Sequence, residues 1–148
     1  MDYQTAEKRI KEIISIKNKS KVLYDVVDFL FENFDKYNWV GIYLVKGNEL
    51  ILGPWNGPNA TEHTRILVGQ GICGSAAKTG KTEVIQDVNK DKRYLSCFIT
   101  TKSEIVVPIK KDNKIVAEID IDSDKKNIFT DKDIFFLQKV AGMLAEHI

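Results

Sequence analysis

Cysteine is scarce in this chain, with two in 148 residues beside two histidines, two tryptophans and three prolines. Two cysteines are too few for a disulfide scaffold, and without export they are expected to rest as thiols. No metal-ligand spacing joins Cys73 and Cys97, and only His63 and His147 could supplement them, so no zinc site is expected. Neither sign of charge dominates. Lys+Arg number 22 against Asp+Glu 21, a net charge of +1, which supplies no field for nucleic acid or an anionic membrane. No apolar run approaches the roughly 18 residues of a membrane span. The opening MDYQTAEKRI lacks the basic and apolar regions of a secretory signal. Repeats, low-complexity stretches and linkers are missing as well. What remains is ordinary globular composition, 43% hydrophobic and 29% charged, in a chain long enough for one core. The expectation is a cytoplasmic single domain over residues 1–148.

Helical periodicity marks both ends. Tyr3, Ala6, Ile10, Ile13 and Ile14 recur at helical spacing. After the polar break KNKS, Ser20 is placed to cap a second helix with the stripe Leu23, Val26, Val27, Leu30, Phe31 and Phe34. Thr130 with Asp133 reads as a capping box for a C-terminal helix running from Ile134 to Ile148. Between them the pattern alternates. NWVGIYLV, a turn at KGN and ELILG read as a hairpin, followed by the loop LGPWNGPNATEHT. TEVIQ, EIVVPI and KIVAEIDID are further strands, the last two joined through KKDN. Terminal helices over 1–35 and 130–148 around a mainly antiparallel sheet in 38–128 make an α+β domain.

Chemistry-bearing residues concentrate on two strand faces and one loop. In Lys114–Asp122, Ile115, Ala117, Ile119 and Ile121 share one face, while Glu118, Asp120 and Asp122 share the other. A three-residue turn before Lys114 would set Glu104 opposite Asp120. An acidic stripe is commonly a solvated sheet face. Here no lysines on the same face of Glu104–Ile109 offset the like charges, which points instead to a cationic ligand or a shared proton. In Trp39–Tyr43, two aromatics flank Gly41 on one face, reading either as a hollow for a small apolar or sulfur-bearing group or as core packing over a bulge. The loop Gly69-Gln-Gly-Ile-Cys-Gly74 fits G-x-G-x-x-G without the parallel βαβ setting of a dinucleotide site. It offers either backbone N–H groups for an anion or simply a tight turn. A lone cysteine is commonly a small buried hydrophobe; as the alternative, Cys73, ahead of the helical SAAKTG, has a place at a helix N-terminus that can lower its pKa, whereas Cys97, near carboxylates, needs help to do so.

The stretches NWVGIYL, LILGPWNG, GQGICGSAAKTGKTEVIQDV, SEIVVPI, EIDIDS and FTDKD, in this order, resemble the GAF domain family, and within it the free methionine-(R)-sulfoxide reductases. The resemblance implies a GAF fold and an oxidoreductase acting on free L-methionine (R)-sulfoxide. It makes Cys97 the catalytic cysteine and Cys73 the thiol of the glycine loop. Glu104, Asp120 and Asp122 become active-site carboxylates, Trp39 and Tyr43 enclose the methylthio end, and Gly71 and Ile72 are further substrate-binding residues. The implied course is attack by the Cys97 thiolate, a sulfenic acid, and recycling by Cys73 or an external thiol of the thioredoxin type, with no cofactor and no metal. It also implies homodimerisation through the terminal helices. Two positions depart from the family pattern: His63 stands where a third cysteine is usual, and Phe98 replaces an Asp after the catalytic cysteine. The alternatives are a GAF sensor holding a small ligand without turnover, and an interaction module.

Overall fold

In the computed structural model the described residues are 1–16, 18–96 and 98–148, with Lys19 described by its backbone alone. Cys97, the expected nucleophile, lies outside them.

Among the described residues six strands form one antiparallel sheet in the order β3-β2-β1-β6-β5-β4. They are β1 (Trp39–Lys46), β2 (Glu49–Asn56), β3 (Arg65–Leu67), β4 (Glu83–Ile85), β5 (Ser103–Lys111) and β6 (Lys114–Ser123). The α-helices among the described residues are α1 (Tyr3–Ser15), α2 (Lys19–Asn33), α3 (Gly71–Thr79) and α4 (Asp131–Leu144). This is the α+β arrangement the patterning predicts. No helix among the described residues is long and apolar enough to cross a membrane.

The sheet has two differently dressed faces, because strand side chains alternate. Val40, Ile42, Ile105, Val107, Ile119 and Ile121 pack on the terminal helices through Ala6, Ile10, Val26, Leu30, Leu137 and Val140. The opposite face carries a smaller cluster in which Trp39, Tyr43 and Val106 meet Ile72, Cys73 and Ala76 of α3. The large core makes a rigid floor, and the functional groups sit on its far side.

Four local expectations are corrected. Helix α2 begins at Lys19 with Asn18 as its cap, and Ser20 lies in the first turn, its hydroxyl donating to Asn18 Oδ1 at 2.7 Å. Strand β2 runs on through Pro54 and Trp55, residues read from the sequence as loop. Proline is tolerated there because β3 pairs only with Glu49–Ile51 and β1 is bulged between Gly41 and Tyr43. Helix α3 starts at Gly71, so Cys73 belongs to its first turn. Helix α4 ends at Leu144 and passes into a 3-10 turn over Ala145–His147. Its capping box is as expected, with Thr130 and Asp133 satisfying each other's backbone.

The β5–β6 hairpin matters most for the site. Its turn has two residues, Asp112 and Asn113, with φ of 51° and 61°, the paired positive values of a type I′ turn. A bulge follows between Ile109 and Lys110, so Glu104 faces Asp122 and Val106 faces Asp120. The expected pairing of Glu104 with Asp120 is therefore two residues out. The shorter turn shifts the register by one residue and the bulge by another, and an even shift leaves the same side chains on the same face.

Candidate active site

Pairing of β1 with β6 joins the two faces that the sequence leaves separate. Trp39 lies opposite Asp122, Gly41 opposite Asp120 and Tyr43 opposite Glu118, so aromatics and carboxylates share one side of the sheet. Glu104 enters the same side from β5. Helix α3 closes it from above, its Cys73 Sγ donating to Glu104 Oε1 at 3.8 Å. Ligand atoms of Cys73, Glu104 and Asp120 all lie within 4.8 Å of one another.

These groups are almost free of solvent contact: Glu118 is 0% exposed, Asp120 and Asp122 4%, Glu104 5% and Cys73 6%. Among the described residues, both Glu118 oxygens, Asp120 Oδ1 and Asp122 Oδ1 lack a hydrogen-bond partner, and Thr101 Oγ1 reaches Asp122 Oδ2 at 3.4 Å. Burial raises the Asp120 carboxyl to about 6, against weaker opposing effects of Glu104 and Cys73. Burial and then the Asp120 charge push Glu118 and Asp122 well above the usual carboxylate range. No lysine, arginine or histidine among the described residues figures in those shifts. The stripe is therefore not a solvated face but a desolvated acid cluster, suited to holding a proton or meeting a cation.

Cys73 takes the buried-hydrophobe reading and not the lowered pKa that its place at a helix start allows. Burial first, then Asp120, Glu118, Glu104 and Asp122, drive its thiol well above the ordinary value. The four carboxylates and the loss of water outweigh the dipole of α3, which contributes only about half a unit charge at its start.

Of the two readings of the aromatic face, packing over a bulge is the one found. No hollow remains over Gly41, because the Trp39 indole occupies it; a Cβ on Gly41 would run into that ring, as would one on Gly57. Trp39 stacks on Trp55, with centroids 6.1 Å apart at 12°, and meets Phe98 at 6.0 Å. Its Nε1 is buried with no partner among the described residues. The Tyr43 hydroxyl donates to the His63 carbonyl at 2.7 Å, and His63 Nε2 lies 3.2 Å from the Ser96 carbonyl. His63, read from the sequence only as a lost cysteine, thus ties the β2–β3 loop to the segment leading to Cys97. Gly71 opens α3 at φ 67° directly beneath Leu95, and Ile72 lines the same small cavity as Cys73.

Two small cavities remain. One, of about 20 Å³, is lined by Tyr43, Ile72, Cys73, Leu95, Glu104 and Asp120. The other, of about 30 Å³, lies between Trp39, Phe98, Thr101 and Asp122. Each has room for a single water molecule. Leu95, Phe98 and Thr101 line these cavities without belonging to the sequence-based site, and Glu118 is the buried carboxylate that site leaves out. Its i, i+2 spacing to Asp120 is the signal that marks it.

The model of the GAF domain family matches residues 19–148. The chain belongs to the GAF domain family. This GAF domain is 36% identical over 140 residues to the free methionine-R-sulfoxide reductase of Saccharomyces cerevisiae, covering 92% of the chain and 75% of the relative. Among solved structures it is similar to the free methionine-R-sulfoxide reductase of Neisseria meningitidis in complex with its substrate. The TM-score is 0.91 at 32% identity, over 98% of this chain and 87% of that one. The reduced form of Staphylococcus aureus fRMsr gives a TM-score of 0.91 at 36% identity, over 99% and 94% of the two chains.

Proposed function

We propose that this GAF domain reduces free L-methionine (R)-sulfoxide to methionine. The observation that carries the reading is the meeting of buried, cation-poor carboxylates with a wall of aromatics on one side of the sheet. Likeness over nearly the whole chain to reductases solved with substrate supports it. A free amino acid brings an ammonium that the acid cluster lacks, and a peptide-bound methionine does not. Trp39 and Phe98 present apolar surface to the methylthio end, while a raised carboxyl can stay protonated near neutrality and act as general acid.

In this reaction the Cys97 thiolate attacks the sulfoxide sulfur, and an acid of the Glu104/Asp120/Asp122 cluster protonates the departing oxygen. Methionine leaves and Cys97 becomes a sulfenic acid. A thiol then condenses with it, releasing water and forming a disulfide, and a second thiol of the thioredoxin type reopens that bond. Because burial and four carboxylates oppose a Cys73 thiolate, the proposal favours an external thiol for the first recycling step. The cavities are each one water in size, so substrate entry displaces the Leu95 and Phe98 side chains.

Methionine release from separate (R)- and (S)-sulfoxides with dithiothreitol tests the reading. Turnover of the (R) isomer alone, lost in Cys97→Ser and retained in Cys73→Ser, is expected. Release from neither isomer, with binding of the sulfoxide intact, would replace the enzyme with a ligand-binding GAF sensor.

A further inference from the structure

We infer that Cys73, Glu104 and Asp120 form a binding site for one thiophilic divalent cation of the zinc type, with Glu118 as the adjacent supporting carboxylate. Nothing in the linear order of residues hints at it, since the three are separated by 31 and 16 positions and carry no ligand spacing. Tertiary structure assembles it: one ligand atom from each lies within 4.8 Å of the others.

The distances suit such an ion. Zinc bound to a thiolate at about 2.3 Å and to carboxylates at about 2.0 Å sets tetrahedral sulfur–oxygen edges near 3.5 Å. Cys73 Sγ and Glu104 Oε1 are already 3.8 Å apart, so that edge closes with a shift of a few tenths of an ångström, and the edges to Asp120 close from no more than 4.8 Å. The cavity lined by all three, about 20 Å³, accepts one ion or one water and nothing of amino-acid size.

A second observation points to a cation independently of that convergence. Glu118 is fully buried on the same strand face, two residues from Asp120, and neither of its oxygens has a partner among the described residues. Asp120 Oδ1 is likewise buried without a partner. Leaving several polar oxygens unpaired in a dry site costs free energy that a metal ion would recover. A mixed thiolate and carboxylate set selects borderline-soft zinc over magnesium or calcium. Binding displaces protons, since the thiol and carboxyls must ionise to ligate.

The consequence rests on the reductase reading above: a seated ion would occupy the carboxylates offered to the substrate ammonium, making metal and methionine sulfoxide mutually exclusive. Titration of the full chain with Co²⁺, in the absence of any substrate, tests the site itself. A near-ultraviolet thiolate-to-cobalt charge-transfer band is expected in the wild type and in Cys97→Ser, removed by Zn²⁺ at one equivalent and lost in Cys73→Ser. Glu118→Gln should weaken Co²⁺ binding at least about tenfold, the scale of a supporting carboxylate. No band, or a band kept in Cys73→Ser and lost in Cys97→Ser, overturns the proposal. Those results leave sulfoxide turnover untouched, so the metal site and the reductase can fail separately. If both stand, Zn²⁺ should raise the apparent KM for the sulfoxide without lowering kcat, and a chelator should restore it.

Discussion

At the scale of single residues, the site spends stability on its acids. A carboxyl raised by burial is neutral more often in the folded chain than in the unfolded one. Its favourable contribution is complete below the unfolded value and lost as pH rises through the folded value. For Asp120 that window runs from 3.8 to about 6. Asp120→Asn should therefore stabilise the ligand-free protein at pH 7, by up to about 3 kcal/mol at 1.36 kcal/mol per pKa unit. Urea midpoints should show the gain shrinking as pH falls from 7 to 4. The same variant should lose sulfoxide turnover, because the protonating and ammonium-facing group is gone. A destabilised Asp120→Asn at neutral pH would mean that the carboxylate is already paired in the native state. Cys73 follows the same logic, with neighbours overriding the helix end that its sequence position advertises.

At the scale of elements, α3 and the β5–β6 hairpin place the chemistry. Helix α3 can approach the carboxylates because its first residue, Gly71, takes φ 67° and leaves room for Leu95. An alanine there meets both penalties at once, a strained backbone and a Cβ pressed on Leu95 at 2.8 Å. Gly71→Ala should cost about 1–3 kcal/mol of stability, read by thermal or urea unfolding. It should also lower turnover more than the stability loss explains, since Leu95 lines the cavity beside Cys73. An unchanged kcat/KM would separate α3 packing from catalysis. The hairpin acts through its register. Turn length and bulge position each move the pairing by one residue, and only their sum keeps Glu104 on the acid face.

At the scale of the whole molecule, the terminal helices are latched through one buried side chain. Asp133 is fully buried and accepts from the Tyr3 hydroxyl of α1 at 2.8 Å, the Tyr37 hydroxyl at 2.7 Å and Lys36 Nζ at 2.6 Å. The Thr130 N–H adds a fourth bond at 2.8 Å. Burial by itself would raise this carboxyl, but Lys36, Thr130, Tyr37 and Tyr3 outweigh it and hold it below the usual range. A depressed acid contributes stability above its unfolded pKa, about 3.9, and loses it as pH falls through the lower folded value. Asp133→Ala should cost about 2–4 kcal/mol at pH 7, as expected when one member of a largely buried ionic network is removed. The difference from wild type, followed by urea unfolding, should narrow below pH 4. A gap independent of pH would assign the effect to packing rather than to the charge. The latch and the site therefore respond to acid with opposite sign, one weakening where the other is relieved.

Much of this protein is legible in its amino-acid sequence alone. Alternation along β6 separates Ile119 and Ile121 from Glu118, Asp120 and Asp122 because a strand turns successive side chains to opposite faces. The capping box at Thr130, the helical stripes and the GAF resemblance of the glycine loop are likewise local patterns that survive folding intact. What depends on distant parts of the chain is decided only in three dimensions. The pairing of β1 with β6 sets Trp39 beside Asp122, burial of α3 raises the Cys73 thiol instead of lowering it, and the Trp39 ring fills the space over Gly41. The extension of β2 through Pro54 requires an edge that no neighbouring strand covers. Periodicity reports which way a side chain points. Register, desolvation and charge depend on what arrives from elsewhere in the chain, and that is why the sequence marks the acid stripe as a site without giving its pairing, its burial or its aromatic neighbours.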